Sequence, residues 1–395
     1  MRKIYIIILG LIISIASLSP VQSQKFSSYE GRHFYLGFME NEIDIIYPHL
    51  GVDLKLFITS NYDTKVEISV PGTSLGIYNI QADEVRMIDV ADKAEVRTSE
   101  VPLKKAIEVT SEKPIAVYAF SSQFKTSDAY AAIPVAYWGT EYVAMSYPND
   151  VYKVPGEVSK EDSIRFQTPR SSEFMVIAAQ DSTVIRFTPK AVTWEAKQTF
   201  REYSVVLNKG EVYLVKSLQS PMGTGDLTGT IVRSNKPIGF ISGHVRTAVP
   251  LDLPYSWDSK DHLAEMLMPT DAWGRMFLSV PYDFLEYYEG DNFRITGIQD
   301  STVISMSSFS YNKDIILNEP GDFEEIKHIN EPVIWHANKP IQIGQYMAHS
   351  GKKAYDSPLF DPSLVILPPL EQYVSRILFQ TPTDEHGKYA AHAVN

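Results

Sequence analysis

Four polar residues near the middle of the chain have the types and the spacing of a metal site or an acid–base site. His244 is followed by Asp261, His262 and Glu265. Imidazole nitrogens and carboxylate oxygens bind divalent metals, and a histidine beside a carboxylate transfers protons near neutral pH. The competing interpretation is structural: Asp261 and His262 cap a helical turn over residues 261–266, and His244 fills a loop.

Other chemical signatures are missing from the sequence. The chain contains no cysteine, and no Gly-x-Ser-x-Gly elbow, His-Glu-x-x-His pair or EF-hand loop occurs. The glycine-rich run at 223–229 has the wrong spacing for a phosphate loop. Asp252, Asp258 and Asp261 would hydrolyse a glycosidic bond only if folding brought two of them within roughly 5–10 Å. We therefore predict no catalytic residues and no cofactor, with a glycan-active enzyme as an alternative.

Two aromatic loops are the better candidates for ligand binding. Tyr255 and Trp257 lie in the first loop, and Tyr287 and Tyr288 lie in the second. Exposed Tyr and Trp rings act as rigid anchors for protein or sugar ligands. The alternative is that these rings cover the ends of the β-sheets.

Composition narrows the class of protein. The formal net charge is -12, and 44% of the residues are hydrophobic. Such a composition excludes low-complexity disorder, and an acidic chain is not expected to bind nucleic acid or an anionic membrane through bulk charge.

Residues 1–23 are predicted to be a signal peptide. Arg2 and Lys3 precede an apolar run over residues 4–18, which is short for a membrane span, and Ser23 ends a small-residue cleavage site. An uncleaved membrane anchor is the alternative. Export without any cysteine or Asn-x-Ser/Thr acceptor favours a bacterial protein. We predict that the mature chain does not insert into a membrane and lies in the periplasm, at the cell surface or outside the cell.

One sequence pattern occurs three times. A Lys-Pro-Ile tripeptide followed by a strand-like run is found at 113–115, 236–238 and 339–341. An Asp/Thr turn precedes each tripeptide, and an Asp, a Pro and then an aromatic residue four positions later follow it. These aromatic residues are Trp138, Trp273 and Tyr373. Landmarks that recur in one order indicate three copies of one unit, and Trp138 and Trp273 are expected to pack in the core.

The repeated unit is predicted to be all-β. Apolar residues alternate with period 2 at 184–188, 203–207 and 211–215, and the turn at 208–210 predicts a hairpin. Because proline cannot donate to a ladder, each Lys-Pro-Ile is expected at a strand start or an edge kink. We predict three tandem pseudo-repeats of about 100–120 residues, each a small antiparallel β-sandwich-like unit of six or seven strands. A closed radial array like a β-propeller is the alternative.

The predicted units span residues 24–148, 149–281 and 282–382. Residues 383–395 either supply a closing strand or begin a further, truncated unit, and we favour the latter. The repeat also bears on the metal hypothesis, because Ser121 and Met347 occupy the positions equivalent to His244. The histidine is therefore not a ligand shared by all three units.

Several motifs resemble the IgGFc-binding protein N-terminal domain family. They are FYLGFMEN at 34–41, KPIAVY at 113–118, GTEY at 139–142, DLTGT at 226–230, SGH at 242–244 and DHL at 261–263. The resemblance extends over residues 31–395. One departure is that family members often have cysteines near the Asp-His-Leu segment, where this chain has Ser259 and Lys260. Disulfide-dependent features therefore do not carry over.

The resemblance implies a secreted, non-enzymatic binding or adhesion module. The family is named after a mucus-associated protein that binds the Fc part of IgG, and its domain also occurs in secreted bacterial proteins. The implied partner is an extracellular protein or glycan, with immunoglobulin Fc or mucin as the candidates that the family suggests. A structural spacer within a larger surface protein is the other alternative.

Overall fold

The protein folds into three antiparallel sheets of seven strands each, which confirms the predicted all-β fold of three tandem units. The computed structural model describes residues 28–42, 48–153, 156, 159–252, 259–282, 290–349, 361–373 and 378. The predicted signal peptide and residues 383–395 lie outside these ranges. The predicted boundaries at 148, 281 and 382 stay predictions.

The strands follow the chain in order. Sheet 1 contains β1 (Gly31–Leu36), β2 (Asp53–Thr59), β3 (Thr64–Val70), β4 (Thr73–Ile80), β5 (Val85–Val90), β6 (Ile107–Gln123) and β7 (Thr126–Ala131). A short ladder joins β9 (Asp150–Val151) to β10 (Pro169–Arg170). Sheet 2 contains β8 (Gly139–Val143), β11 (Ser172–Ala178), β12 (Thr183–Thr188), β13 (Tyr203–Leu207), β14 (Val212–Lys216), β15 (Ile231–Thr247) and β16 (Asp261–Met266). Sheet 3 contains β17 (Gly274–Ser279), β18 (Asp291–Gly297), β19 (Thr302–Ser307), β20 (Asn312–Leu317), β21 (Phe323–Ile329), β22 (Val333–Met347) and β23 (Ser363–Ile366).

Helices are few and short in the described residues. One α-helix of four residues, α1 (Ser163–Phe166), is accompanied by single 3₁₀ turns at Pro48–Leu50, Asp92–Ala94, Val135–Tyr137, Thr270–Ala272 and Leu370–Gln372. None of these helices has the length and apolarity needed to cross a membrane. The predicted helical turn at residues 261–266 is wrong, because this segment is β16 and forms a ladder with β15.

All three sheets share one strand order around a long central strand. In sheet 1 the order is β4-β3-β6-β2-β5, and β1 and β7 also pair with β6. The first half of β6 pairs with β1 and β3, and its second half pairs with β2 and β7. Strands β15 and β22 have the same role in sheets 2 and 3. Each sheet thus curls around a strand of 15 or 17 residues.

Each Lys-Pro-Ile lies inside the central strand, at the point where the strand changes partners. In sheet 1, β3 pairs with β6 only as far as Ser111, and the ladder with β2 begins at Ala116. Pro114 lies between them, where neither β2 nor β3 needs its missing N–H. The expectation that the tripeptide starts a strand is therefore wrong, although the proline does avoid these two ladders.

The repeated Asp/Thr turn contacts the repeated Lys-Pro-Ile segment. In sheet 2, the amide of Val184 donates to Asn235 Oδ1 at 2.8 Å, and Lys236 Nζ donates to the carbonyl of Asp181 at 2.5 Å. In sheet 3, the amide of Val303 donates to Asn338 Oδ1 at 2.9 Å in the same way. These bonds attach the turn before the third strand to the middle of the central strand, so the two sequence landmarks recur together.

The predicted hairpin at 203–215 does not form. β13 pairs with β12, whereas β14 pairs with β11, so the two strands lie at opposite ends of the sheet order. Two alternating strands joined by a short turn have the sequence pattern of a hairpin. Here both strands bury their apolar faces against other neighbours, and tertiary pairing overrides the local signal.

A glycine and a proline hold the ends of each sheet together. The glycine that opens the first strand packs on the proline that follows the last strand. A Cβ added to Gly31, Gly139 or Gly274 would lie 2.5, 2.4 or 2.2 Å from the Cβ of Pro134, Pro269 or Pro369, respectively. Trp138 and Trp273 follow the first two prolines and are buried, as predicted.

The sheets follow one another in a row, with β16 packed against β7 on one side and β23 on the other. Sheets 1 and 2 share one continuous apolar core, which also includes Tyr346, Leu364 and Ile366 of sheet 3. Sheet 3 has a second core of its own around Phe293 and Trp335. The junction of sheets 1 and 2 therefore combines apolar packing with the polar groups described below.

The close contact between Gly139 and Pro269 generates a stability prediction. Gly139→Val is expected to lower the free energy of unfolding by roughly 1–3 kcal/mol, because the new Cβ overlaps the proline. Urea unfolding monitored by circular dichroism measures the change. Thr140→Val, at an exposed position of the same strand, is the matched control and should be nearly neutral. Equal stability of the two variants would contradict the proposed contact.

Candidate binding cleft

A polar cleft of about 160 Å³ opens at the junction of sheets 1 and 2. Residues from both sheets line it. They are Glu40, Glu42, Arg97, Pro169, Arg170, Ser171, Trp194, Lys216, Gln219 and Val245. The cleft, which we call the junction cleft, combines charged side chains of both signs with the exposed aromatic ring of Trp194.

Main-chain pairing between the two sheets positions the walls of the cleft. The loop between β5 and β6 lies along the edge of β14, where Glu100 N donates to Leu214 O at 2.6 Å and Leu103 N donates to Val212 O at 3.0 Å. Lys216 ends β14, so its side chain emerges beside this loop. A segment of sheet 1 thus covers an edge strand of sheet 2 that would otherwise have unpaired main-chain groups.

Charges of both signs face one another inside the cleft. Lys216 Nζ lies 2.5 Å from Glu40 Oε2, and Arg97 lies 3.4 Å from Glu40 and 2.6 Å from Glu95. Lys216 also lies 4.4 Å from the centre of the Trp194 ring, a cation–π contact. Trp194 is 38% exposed, so one edge of the ring remains available to a ligand.

Glu173 lies behind Lys216 and is fully buried. The two residues face each other across the ladder of β11 and β14. Neither carboxylate oxygen of Glu173 has a hydrogen-bond partner. Burial, followed by the charge of Glu40, raises the pKa of Glu173 well above its usual range, which favours the neutral acid at this position.

A second ionic network connects the cleft to Lys260, which follows the predicted loop at 253–258 in the sequence. Arg246 Nη1 lies 3.3 Å from Glu42 Oε2, and Arg246 Nε donates to the carbonyl of Lys260 at 3.2 Å. Lys260 Nζ lies 2.9 Å from Asp150 Oδ1, and both of these side chains are fully buried. Arg170 also pairs with Glu42. The network therefore fixes the backbone on the C-terminal side of the loop.

The structure places the predicted metal candidates on two adjacent strands. His244 lies on β15 opposite Leu263, and His262 lies on β16. The structural alternative for these residues is also incorrect in detail, because His244 is in a strand and Asp261 begins a strand.

The carboxylates of the predicted set lie near other acids. Burial raises the pKa of Asp261 and of Glu265 well above the usual range, and Asp128 of β7 raises both further. In the described residues, no group of three or more His, Asp or Glu side chains is arranged to hold a metal ion. The aromatic candidates Tyr255, Trp257, Tyr287 and Tyr288 lie outside the described residues.

The sequence analysis missed the residues of the junction cleft. Trp194 is an aromatic residue in a polar stretch between two strands, which is the signal that selected Trp257, so it could have been found. Glu40, Arg97 and Lys216 carry no such signal. They come from three separate segments, and only the stacking of sheets 1 and 2 brings them together.

The fold and the cleft define an all-β repeat protein with a charged cleft between two of its sheets. A family model described as IgGFc binding protein matches residues 128–395. The chain belongs to the IgGFc-binding protein family, as the sequence motifs predicted. The human protein named IgGFc-binding protein is 24% identical over 229 residues, which is 57% of this chain and 4% of the human protein.

The buried pair of Lys260 and Asp150 generates a second stability prediction. Lys260→Met leaves Asp150 buried without its cation, and we expect a loss of roughly 3–5 kcal/mol in the free energy of unfolding. Lys313→Met is the control, because its pair with Glu324 is exposed, and it should cost no more than about 1 kcal/mol. Chemical denaturation of both variants measures the difference. A Lys260→Met protein as stable as the control would show that the pair is not needed.

The buried histidines generate a pH prediction. Burial lowers the pKa of His244 to about 3 and that of His262 to about 4. The unfolded chain binds protons below about pH 6.5 and the folded chain does not, so these groups cost stability as the pH falls from about 6.5 toward 4. Acids with a raised pKa, such as Asp128 at about 7, oppose this trend. The slope must therefore be compared between variants.

As the pH falls between these limits, the melting temperature of His262→Gln is expected to rise relative to that of the wild type, because the destabilising contribution of His262 is removed. His336→Gln, at an exposed position of β22, is the control and should keep the wild-type slope. Parallel curves for wild type and His262→Gln would contradict the burial of a neutral imidazole. Scanning calorimetry across the pH series makes the measurement.

Proposed function

We propose that this protein is an extracellular, non-enzymatic binding module that recognises a protein or glycan through the junction cleft, together with the aromatic loops predicted from the sequence. Export through residues 1–23 is part of the proposal, as is location outside the cell or at its surface. Membership of the IgGFc-binding protein family supports a binding role. The exposed ring of Trp194, in contact with Lys216 in a cleft lined by charged side chains, is the observation that carries the choice of site.

The size of the cleft favours a macromolecular ligand. Pockets for drug-sized molecules usually have volumes of about 300–1,000 Å³, whereas this cleft has about 160 Å³. A single side chain or one sugar ring fits such a space, with the rest of the ligand lying on the surrounding surface. An indole ring beside a cation and a carboxylate suits a ligand that presents polar and charged groups.

The predicted contacts Tyr255 and Trp257 precede, in the sequence, a residue that the buried network connects to the cleft. Arg246 donates to the carbonyl of Lys260 and pairs with Glu42, which lines the cleft. Loops that carry recognition residues are commonly held by a rigid scaffold. Tyr255 and Trp257 are therefore the second set of contact candidates, and Tyr287 and Tyr288 are the third.

A binding screen with single variants tests this proposal. Residues 24–395 are immobilised and exposed to IgG Fc, mucins and a glycan array. Trp194→Ala is expected to weaken the bound signal at least about tenfold, as for a hot-spot aromatic residue. Phe200→Ala is the matched control, because Phe200 is 96% exposed in the same inter-strand loop, and it should leave affinity unchanged.

The outcomes separate the proposed sites. Unchanged affinity in Trp194→Ala, together with lost affinity in Trp257→Ala or Tyr288→Ala, would move the site to the aromatic loops. Absence of any ligand at micromolar concentration would remove the support for a binding function among these partners. Circular dichroism confirms that each variant is folded before its affinity is compared.

A further inference from the structure

The two junctions in the row of sheets use equivalent positions. The glycine that opens the first strand gives a common reference, because Gly31, Gly139 and Gly274 each pair with the isoleucine of a Lys-Pro-Ile. Counting forward from these glycines compares the three sheets directly. The same positions of sheets 1 and 2 contact the sheet that follows, and sheet 3 has these positions as well.

The residue six positions after the opening glycine packs against the next sheet. In sheet 1 this residue is Gly37, and a Cβ added to it would lie 2.7 Å from Met175 of sheet 2. In sheet 2 it is Met145, whose side chain lies 3.1 Å from the position that a Cβ added to Gly344 of sheet 3 would occupy. Gly37 and Met145 are both buried. Val280 is the equivalent residue of sheet 3, and it is 62% exposed.

The residue four positions after the opening glycine, and its partner on the central strand, show the same difference between sheets 2 and 3. Val143 pairs with Ile231 in sheet 2, and Leu278 pairs with Ile334 in sheet 3. Val143 is buried, and Ile231 Cδ1 lies 3.4 Å from the point that a Cβ on Gly321 of sheet 3 would occupy. Leu278 and Ile334 are 41% and 54% exposed. The two pairs are chemically similar, and only one is covered.

Two further apolar residues of sheet 3 are exposed at junction positions. Phe309 lies two residues after β19, and its equivalent in sheet 2 is Lys190, which lies two residues after β12. Lys190 contacts the next sheet, because it pairs with Asp322 of sheet 3 at 3.9 Å. Phe309 is 96% exposed. Tyr373 is 55% exposed, whereas Trp138 at the equivalent position is buried.

The arriving sheet contributes a glycine turn at each junction. Gly210 and Gly321 lie in the turn between the fourth and fifth strands, with φ of 77° and 80°. A Cβ added to Gly210 would lie 2.6 Å from Pro71 of sheet 1, and one added to Gly321 would lie 2.4 Å from the carbonyl oxygen of Gly229 of sheet 2. The contact is therefore too close for any residue with a side chain.

From these equivalences we infer that Leu278, Val280, Phe309, Ile334 and Tyr373 form a docking face, the distal face, for a following sheet of the same type joined in tandem. The occupant brings a glycine turn, as sheets 2 and 3 do. In a linear repeat array, a terminal repeat usually has a polar outer face, and the distal face is apolar. Sheet 3 has the surface of an internal repeat.

A second copy of this chain does not fit the distal face. Sheet 1 would have to present its own turn between β4 and β5, and there Asp83 takes the place of Gly210 and Gly321, with φ of 61°. Its Cβ would overlap the receiving backbone, and its carboxylate would lie against apolar side chains. Sheet 1 therefore has the properties of a first repeat.

Lysine substitutions in the full chain test whether the distal face is free. The triple variant Leu278→Lys, Val280→Lys, Ile334→Lys is expected to keep the wild-type melting temperature and to lose binding of an apolar dye. Val143→Lys, at the covered equivalent position, should lower the melting temperature by at least about 10 °C. A large destabilisation in the triple variant would show that residues 374–395 or another segment of the chain already cover this face, and would overturn the inference.

Hydrogen exchange tests the identity of the occupant. The test uses an extended chain, in which a second copy of residues 139–273 follows Tyr373. Exchange of backbone amides at 274–282 and 331–337 is expected to slow at least about tenfold relative to the original chain. The triple lysine variant should cancel this protection. A glycine-to-aspartate change at the position of Gly210, made only in the appended copy, should also cancel the protection.

Three results would overturn the inference. Unchanged exchange in the extended chain would show that a following sheet does not dock, and protection that survives the glycine-to-aspartate change would show that the turn is not what selects the occupant. Sedimentation velocity addresses the second copy. The original chain is expected to stay monomeric at micromolar concentration, and association that the triple lysine variant abolishes would assign the distal face to another molecule of this chain instead.

Discussion

Each sheet of this protein depends on one long strand that changes its partners half way along. The change takes place at a proline, where an uninterrupted ladder would need an N–H that proline lacks. In sheet 1 the ladder with β3 ends at Ser111 and the ladder with β2 begins at Ala116, so Pro114 lies in the interval between them. The two halves of the strand can then support the two halves of a curled sheet around one core.

The rest of the architecture follows from this constraint. In sheets 2 and 3, a lysine and an asparagine before the proline attach the turn that precedes the third strand, as Lys236 and Asn235 do in sheet 2. The first and last strands close through a glycine in contact with a proline. Because each sheet ends in the same way, the next sheet meets the same surface, and a row of sheets forms with equivalent junctions. Polar groups collect beside the apolar packing at these junctions, where two sheets stack.

The two junctions solve the same packing problem with different chemistry. Between sheets 1 and 2 the apolar core is continuous and the charges surround a cleft that contains Trp194. Between sheets 2 and 3, Arg294 is fully buried, donates to Asp226 at 2.7 Å and lies 4.1 Å from the centre of the Tyr147 ring. A fully enclosed cation adds specificity to the junction but leaves no room for a ligand. An open pair of charges beside an exposed ring leaves such room, which is why the first junction is the better candidate for binding.

The sequence alone determined the fold class, the number of repeats and the family. These properties depend on local patterns that can be read from the sequence directly: alternating apolar residues, a recurring Lys-Pro-Ile and motifs in a constant order. The same local reasoning failed for the strand at Asp261–Met266, whose short apolar and acidic pattern also suits a helical turn, and for β13 and β14, whose short connection suggested a hairpin.

Only the tertiary structure decided which strands pair and which side chains meet. β13 pairs with β12 and β14 pairs with β11, so the partner of β14 lies beyond the neighbouring strands in the sequence. For the same reason Glu40, Arg97, Trp194 and Lys216 gave no common signal, since they converge only when one sheet stacks on the next. The exposure of the residues of the distal face could not be predicted from the sequence either, because an apolar residue in a strand gives the same pattern whether or not a neighbouring sheet covers it.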